Sequence, residues 1–181
     1  MERLIIPAGP ADYPEIVALV NSAYRGEMAR SGWTHESDFF SGPRTDSQSL
    51  AESLGGAYPS MMLCLRRQPA GPILACVYLK KKQAESGGGT SCYVGMLTVA
   101  PDSQALGLGR IMLEESERQA RMWDAEHMVI QVLFMREPLI AWYERRGYRR
   151  TGETVPFPYE TAKGAGALRE DLHFIILKKS F

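Results

Sequence analysis

Net charge is absent from this chain. Its 21 Lys and Arg residues are balanced by 21 Asp and Glu, so no overall field draws it to nucleic acid or to a membrane surface. The run Lys80-Lys81-Lys82 leaves room only for a local basic patch. Cysteine is scarce too. Cys64, Cys76 and Cys92 stand in apolar stretches, with no CxxC spacing and no histidine beside them. That excludes a disulfide framework and argues against a structural zinc site; buried thiols in a reducing compartment are the simpler expectation. A long hydrophobic run is also missing. The longest uncharged stretch, Ser86 to Pro101, opens on three glycines and is too short to cross a bilayer. The first ten residues, "MERLIIPAGP", carry an acid at Glu2 and no signal-peptide pattern. These absences predict a cytoplasmic protein without a nucleic-acid or membrane partner and without a bound metal.

With 181 residues, 45% of them hydrophobic, the chain suits a single domain over 1–181 with one well-buried core. Leu4 to Ile6 read as a short strand. In "ADYPEIVALVNSAYR", Ile16, Leu19, Val20 and Ala23 share one helical face. Periodicity dissolves from Gly26 to Ser47, yet that stretch holds Trp33, His35, Phe39 and Phe40, which favours a functional loop over a linker. "SQSLAESLG" predicts a short helix stopped by Gly55 and Gly56. Met61 to Arg67 and Ile73 to Lys81 form a strand pair around the turn "QPAGP", and a loop, "KQAESGGGTS", leads to a third strand, Cys92 to Val99.

Next comes an amphipathic helix with Leu108, Ile111, Met112, Ala120 and Trp123 inward and Glu114, Glu117, Arg118 and Arg121 outward. "HMVIQVLF" is a nearly continuous apolar run, as in a strand covered on both faces. "EPLIAWYERRGYRR" predicts a second short helix ending at Gly147, and "DLHFIILKKSF" a last strand. Strand, helix, strand in that order makes a crossover with two parallel strands. The fold class is therefore α+β, a mixed sheet with helices on both faces.

Between the third strand and the long helix lies "PDSQALGLGR", with glycines at 107 and 109. A dinucleotide fingerprint needs a third glycine where Met112 stands, and a P-loop needs Gly-Lys-Ser/Thr where the chain has Gly109-Arg110-Ile111. Two readings remain. The glycines make a tight structural turn, or they let the unpaired N–H groups of a helix N-terminus approach an anion.

The wider stretch "YVGMLTVAPDSQALGLGRIMLEESE", with "LIAWYERRGYRR" downstream, closely resembles the central motif of the GNAT superfamily of acyl-CoA N-acyltransferases. The resemblance implies a GNAT fold with about seven strands and a splayed central strand pair. It also implies acetyl-CoA as co-substrate. Its pyrophosphate would lie on the backbone of Gln104, Ala105, Leu106, Gly107, Leu108, Gly109 and Arg110, and its pantetheine arm along Leu97, Thr98 and Val99. It further implies a backbone N–H near Leu97 as oxyanion donor and Tyr143 as the acid that protonates the departing sulfur; a bare reading of Tyr143 makes it a core aromatic. Two positions depart from the family: Arg136, where many members carry a cofactor-contacting asparagine, and Leu139, where alanine is common. Arg136 either contacts the cofactor in another way or faces solvent.

The acceptor side is left to residues 26–47 and to "VPFPYETAKGAG". "NSAYR", "GWTHE" and "GPRTD" look like a subgroup signature. Arg25 and Arg44 suit a substrate carboxylate or ordinary ion pairs. His35, Glu36 and Asp38 are candidates for the base, and Trp33 for packing or for a cation–π seat. The function expected is acetyl transfer to a primary amine of a small molecule, amino-acid derivative or peptide. A non-catalytic acyl-CoA sensor and a protein-modifying acetyltransferase are the alternatives. A homodimer is compatible with the resemblance.

Overall fold

Seven strands form one sheet in the order β1-β2-β3-β4-β5-β7-β6 in this computed structural model. It describes residues 3–30, 32–83, 89–160 and 166–181. Parts of the segments 82–91 and 155–166, and position 31 of the loop 26–47, lie outside the described residues. The strands are β1 (Leu4–Pro7), β2 (Ser60–Arg66), β3 (Ala75–Gln83), β4 (Thr90–Val99), β5 (His127–Leu133), β6 (Arg149–Pro156) and β7 (His173–Ser180). Among the described strands, β4 and β5 are the parallel pair, and the neighbours on either side run antiparallel.

Helices cover both faces, as the alternation of apolar positions requires. On one face lies α1 (Tyr13–Tyr24), which buries Ile16, Leu19, Val20 and Ala23. Beside it is α3 (Ser47–Leu54), capped by Asp46, whose carboxylate accepts the Ser49 N–H at 2.8 Å. Both pack with Met62, Cys64 and Cys76 of the sheet. The other face carries α4 (Leu108–Met122) and α5 (Glu137–Glu144), which pack with Leu65, Val77, Val94 and Ile130. The three cysteines are free and buried, so they serve the core as small apolar side chains.

Three local expectations are corrected. The loop 26–47 contains a one-turn helix, α2 (Gly26–Ala29). Glu117 points inward, not to solvent: it is buried on the same α4 face as Leu113 and Ala120. Its charge is compensated by Lys179 of β7, whose Nζ lies 2.8 Å from both carboxylate oxygens, and by the Tyr148 hydroxyl at 3.3 Å. Strand β6 had no sequence signal. It is an edge strand, largely exposed, with a glycine at position 152, so burial left no alternation in it to read. Among the described residues no helix is long and apolar enough to cross a membrane.

Candidate active site

The two central strands part halfway along. β4 pairs with β5 from Ser91 opposite His127 to Val94 opposite Ile130, and the pairing ends there. The cause lies on the other edge of β4. Cys76 faces Thr98 and Tyr78 faces Gly95, so Val77 of β3 stands against two residues, Met96 and Leu97. This is a β-bulge, which bends the strand that carries the extra residue. Met96 takes φ +47, a left-handed conformation that a side chain disfavours. Two bonds hold it: Thr98 Oγ1 donates to the Met96 carbonyl at 2.9 Å, and the Tyr24 hydroxyl donates to the Leu97 carbonyl at 2.8 Å.

Past the bulge, β4 runs into the turn at Pro101–Ser103 and then to Gly107, which precedes α4 with φ +75. A Cβ on Gly107 would meet nothing within 4 Å, and one on Gly109 would touch Trp142 and Val99 at 3.6 Å. Crowding therefore does not demand glycine at 109. What glycine leaves there is bare backbone at the start of a 15-residue helix, where N–H groups lack intrahelical partners and the macrodipole is positive. That helix end opens into a cleft of about 430 Å3, lined also by Leu97, Val99, Leu139 and Trp142.

Three arginines border the cleft: Arg110, Arg145 and Arg146. Arg146 lies 3.6 Å above the Trp142 ring and donates to the Trp142 carbonyl at 2.7 Å. Its Nε is buried without a hydrogen-bond partner among the described residues. Burial, then repulsion from Arg145 and Arg110, lowers its affinity for a proton. An anion in the cleft would offset that repulsion.

Tyr143 is buried on α5, set edge-on between Trp142 and Tyr148. Burial, with Tyr24 nearby, pushes its phenol well above the ordinary value of 10.0. Tyr24 is pushed up to about 12, by burial first and Glu36 second. A second, smaller pocket of about 110 Å3 lies in the gap between the splayed strands, walled by Met96, Gln131, Leu133, Tyr93 and Phe174. Tyr24, Leu97, Leu139 and Tyr143 line both cavities. The charged side chains on the smaller one are Glu36, Arg44 and Arg136.

The structure sorts the sequence candidates. Leu97, Val99, Gln104, Ala105, Gly107, Leu108, Gly109 and Arg110 line the large cleft. Thr98 is buried and bonded to Met96, and Leu106 is exposed outside the cleft lining. The Gln104 side chain braces a neighbouring segment, accepting the Trp33 N–H and donating to Thr34 Oγ1, each at 3.2 Å. A Cβ at Gly32 would sit 2.8 Å from Gln104 Nε2, so a larger residue there would displace that amide. Arg136 neither faces solvent nor lines the large cleft; it is buried beside Glu36 at 3.4 Å.

Glu36 also meets Arg25 at 3.4 Å and Arg44 at 3.9 Å. Arg25 is buried, its guanidinium 4.2 Å over Phe40, outside the lining of either cavity. Trp33 borders the large cleft and not the smaller pocket. Asp38 is paired at the surface with Arg30 at 2.8 Å, and His35 lines neither cavity. Tyr24, Tyr93, Gln131 and Phe174 had no role assigned from the sequence, although Tyr24 stands inside "NSAYR" and Tyr93 opens "YVGMLTVAPDSQALGLGRIMLEESE". Among the described residues no cluster of three His, Cys, Asp or Glu side chains could hold a metal.

Residues 28–148 match the model of the Acetyltransferase (GNAT) family. No curated protein matches the sequence. Among solved structures, the chain is similar to a ribosomal-protein-alanine N-acetyltransferase from Brucella melitensis, with 20% identity, TM-score 0.66, and 98% of this chain and 99% of that one covered. It is also similar to the yncA protein of Salmonella typhimurium, solved with its cofactor acetyl-CoA, at 18% identity and TM-score 0.66, over 99% and 94% of the two chains. A third is the ribosomal-protein-S18-alanine N-acetyltransferase of Escherichia coli, at 15% identity and TM-score 0.62, over 99% and 94%. At these identities the likeness establishes the fold.

Proposed function

Because the chain belongs to the Acetyltransferase (GNAT) family, we propose that it moves an acetyl group from acetyl-CoA to the primary amine of a small molecule. One observation carries this reading. Leu97 and Tyr143 line both the large cleft and the small pocket, so a thioester from one side and an amine from the other meet between an amide and a phenol.

The large cleft fits the donor. The N-terminus of α4 at Gly107–Arg110 offers bare N–H groups to a pyrophosphate, and Arg110, Arg145 and Arg146 offer charge to phosphates. The edge of β4 beyond Val94, released from β5, is open to main-chain bonds with an extended pantetheine arm. Acetyl-CoA supplies an acyl carbon that a neutral amine can attack. The new N–C bond forms as the C–S bond breaks, the amine loses a proton to water, and sulfur leaves as a thiolate. The Leu97 N–H, at the bulge, is the donor we assign to the developing oxyanion.

Tyr143 gives its proton to the sulfur. Its raised affinity keeps the phenol protonated at neutral pH, and after donation it takes a proton back from water. Glu36 lies on the small pocket, but Arg25, Arg44 and Arg136 share its oxygens, so we assign it the role of counterion. Thiol release from acetyl-CoA with a panel of amines tests the proposal. Release above background hydrolysis is expected; none with any amine, peptide or protein would favour a non-catalytic acyl-CoA sensor.

A further inference from the structure

The small pocket holds more guanidinium than its carboxylate can satisfy. The Arg136 side chain is 8% exposed, with Nη1 3.4 Å from Glu36 Oε1. Its Nη2 is buried and has no hydrogen-bond partner among the described residues. Arg44 reaches the same carboxylate at 3.9 Å. Charge-assisted N–H···O⁻ bonds close at about 2.7–2.9 Å, so Glu36 holds both arginines loosely. A carboxylate offers about four lone-pair sites and each guanidinium about five N–H donors, and Glu36 is shared with Arg25 as well. One carboxylate cannot saturate this set. A buried donor without an acceptor is unfavourable, and a second carboxylate in the pocket would supply the missing acceptor.

We infer that the acceptor is a compact amino acid, free at its carboxylate, which Arg136 and Arg44 grip while Glu36 holds the two arginines in place. The inference rests on the acetyl-transfer reading above and names the substrate class of that site. The pocket is small, about 110 Å3 against about 430 Å3 for the cleft. That accommodates an amine, the carbon bearing it and a nearby carboxylate, as in an α- or β-amino acid. The amine then lies where the two cavities share Tyr24, Leu97 and Tyr143. The remaining walls, such as Met96, Leu133 and Phe174, are apolar, so the arginines set the charge preference. The N-terminus of a peptide, its α-carboxyl tied up in an amide, brings no anion to them.

The test follows thiol release from acetyl-CoA with free L-amino acids, β-alanine, the matching carboxamides and short peptides. The best free acid should exceed its carboxamide in kcat/KM by roughly tenfold or more. Arg136→Met should erase that preference, chiefly through KM, and Arg136→Lys should restore part of it, since an ammonium cannot bind a carboxylate bidentately. Arg44→Gln, at a side chain 42% exposed, reports on the same clamp should Arg136→Met fail to fold. Neither arginine lines the large cleft, so thermal stabilisation by acetyl-CoA should persist in every folded variant. Carboxamides or peptides turned over as well as free acids would overturn the clamp, as would an acid preference left undiminished by Arg44→Gln or by a folded Arg136→Met. Absence of acetyl-CoA stabilisation in the unsubstituted protein overturns instead the acetyl-transfer reading beneath it.

Discussion

Tyr143 joins two properties that a core aromatic has no need to combine: it is buried among aromatic rings, and it borders both cavities. Removing only its hydroxyl keeps the ring packing. Tyr143→Phe should therefore lower kcat by about a hundredfold while acetyl-CoA still raises the melting temperature as before; undiminished turnover would take the residue out of the chemistry. Tyr24 works through the backbone. Tyr24→Phe deletes the bond to the Leu97 carbonyl, with an expected loss of about 1 kcal/mol in urea unfolding and a fall in turnover as the bulge loosens. No change in either quantity would show the bond to be incidental. Tyr143 could be singled out in the sequence because its signal is local, a tyrosine at fixed spacing before Gly147. The setting of Arg136 was not, because its partner Glu36 lies 100 residues away and no periodicity records such a pairing.

Among the elements, the turn into α4 and the bulge in β4 shape the cleft. A Cβ at Gly109 finds ordinary contact distances to Trp142 and Val99, so Gly109→Val should fold with nearly the original melting temperature. Its affinity for acetyl-CoA should drop tenfold or more, about 1.4 kcal/mol, because the branched side chain would cover the backbone that we assign to the pyrophosphate. If the variant unfolds instead, the glycine serves the turn and not a ligand. The strand–glycine–helix order was plain in the sequence, since apolar runs and glycine punctuation are short-range signals. The bulge was not, because the left-handed residue is Met96 and not the neighbouring Gly95, and a methionine does not announce that conformation. Edge strand β6 was missed for the opposite reason, being too exposed to carry a pattern.

Across the whole molecule, burial raises every phenol and thiol whose shift is resolved. Tyr24 goes from 10.0 to about 12, and Cys64 and Cys92 go from 9.0 to about 12; Cys76, Tyr143 and Tyr148 move in the same direction. The unfolded chain releases these protons first, so above about pH 9 it binds fewer protons than the folded one. Stability should be complete below that pH and decline progressively toward about pH 12, seen as a falling urea midpoint; a midpoint constant up to about pH 11 would contradict the burial of these groups. The account as a whole depends on the large cleft being built for acetyl-CoA, and thermal unfolding with and without that ligand tests this most directly. At about a hundredfold excess over Kd, binding to the folded state alone adds about 2.7 kcal/mol, roughly 5–10 °C for a chain of this size. A rise of that order is the predicted result; a melting temperature unmoved by millimolar acetyl-CoA would contradict it.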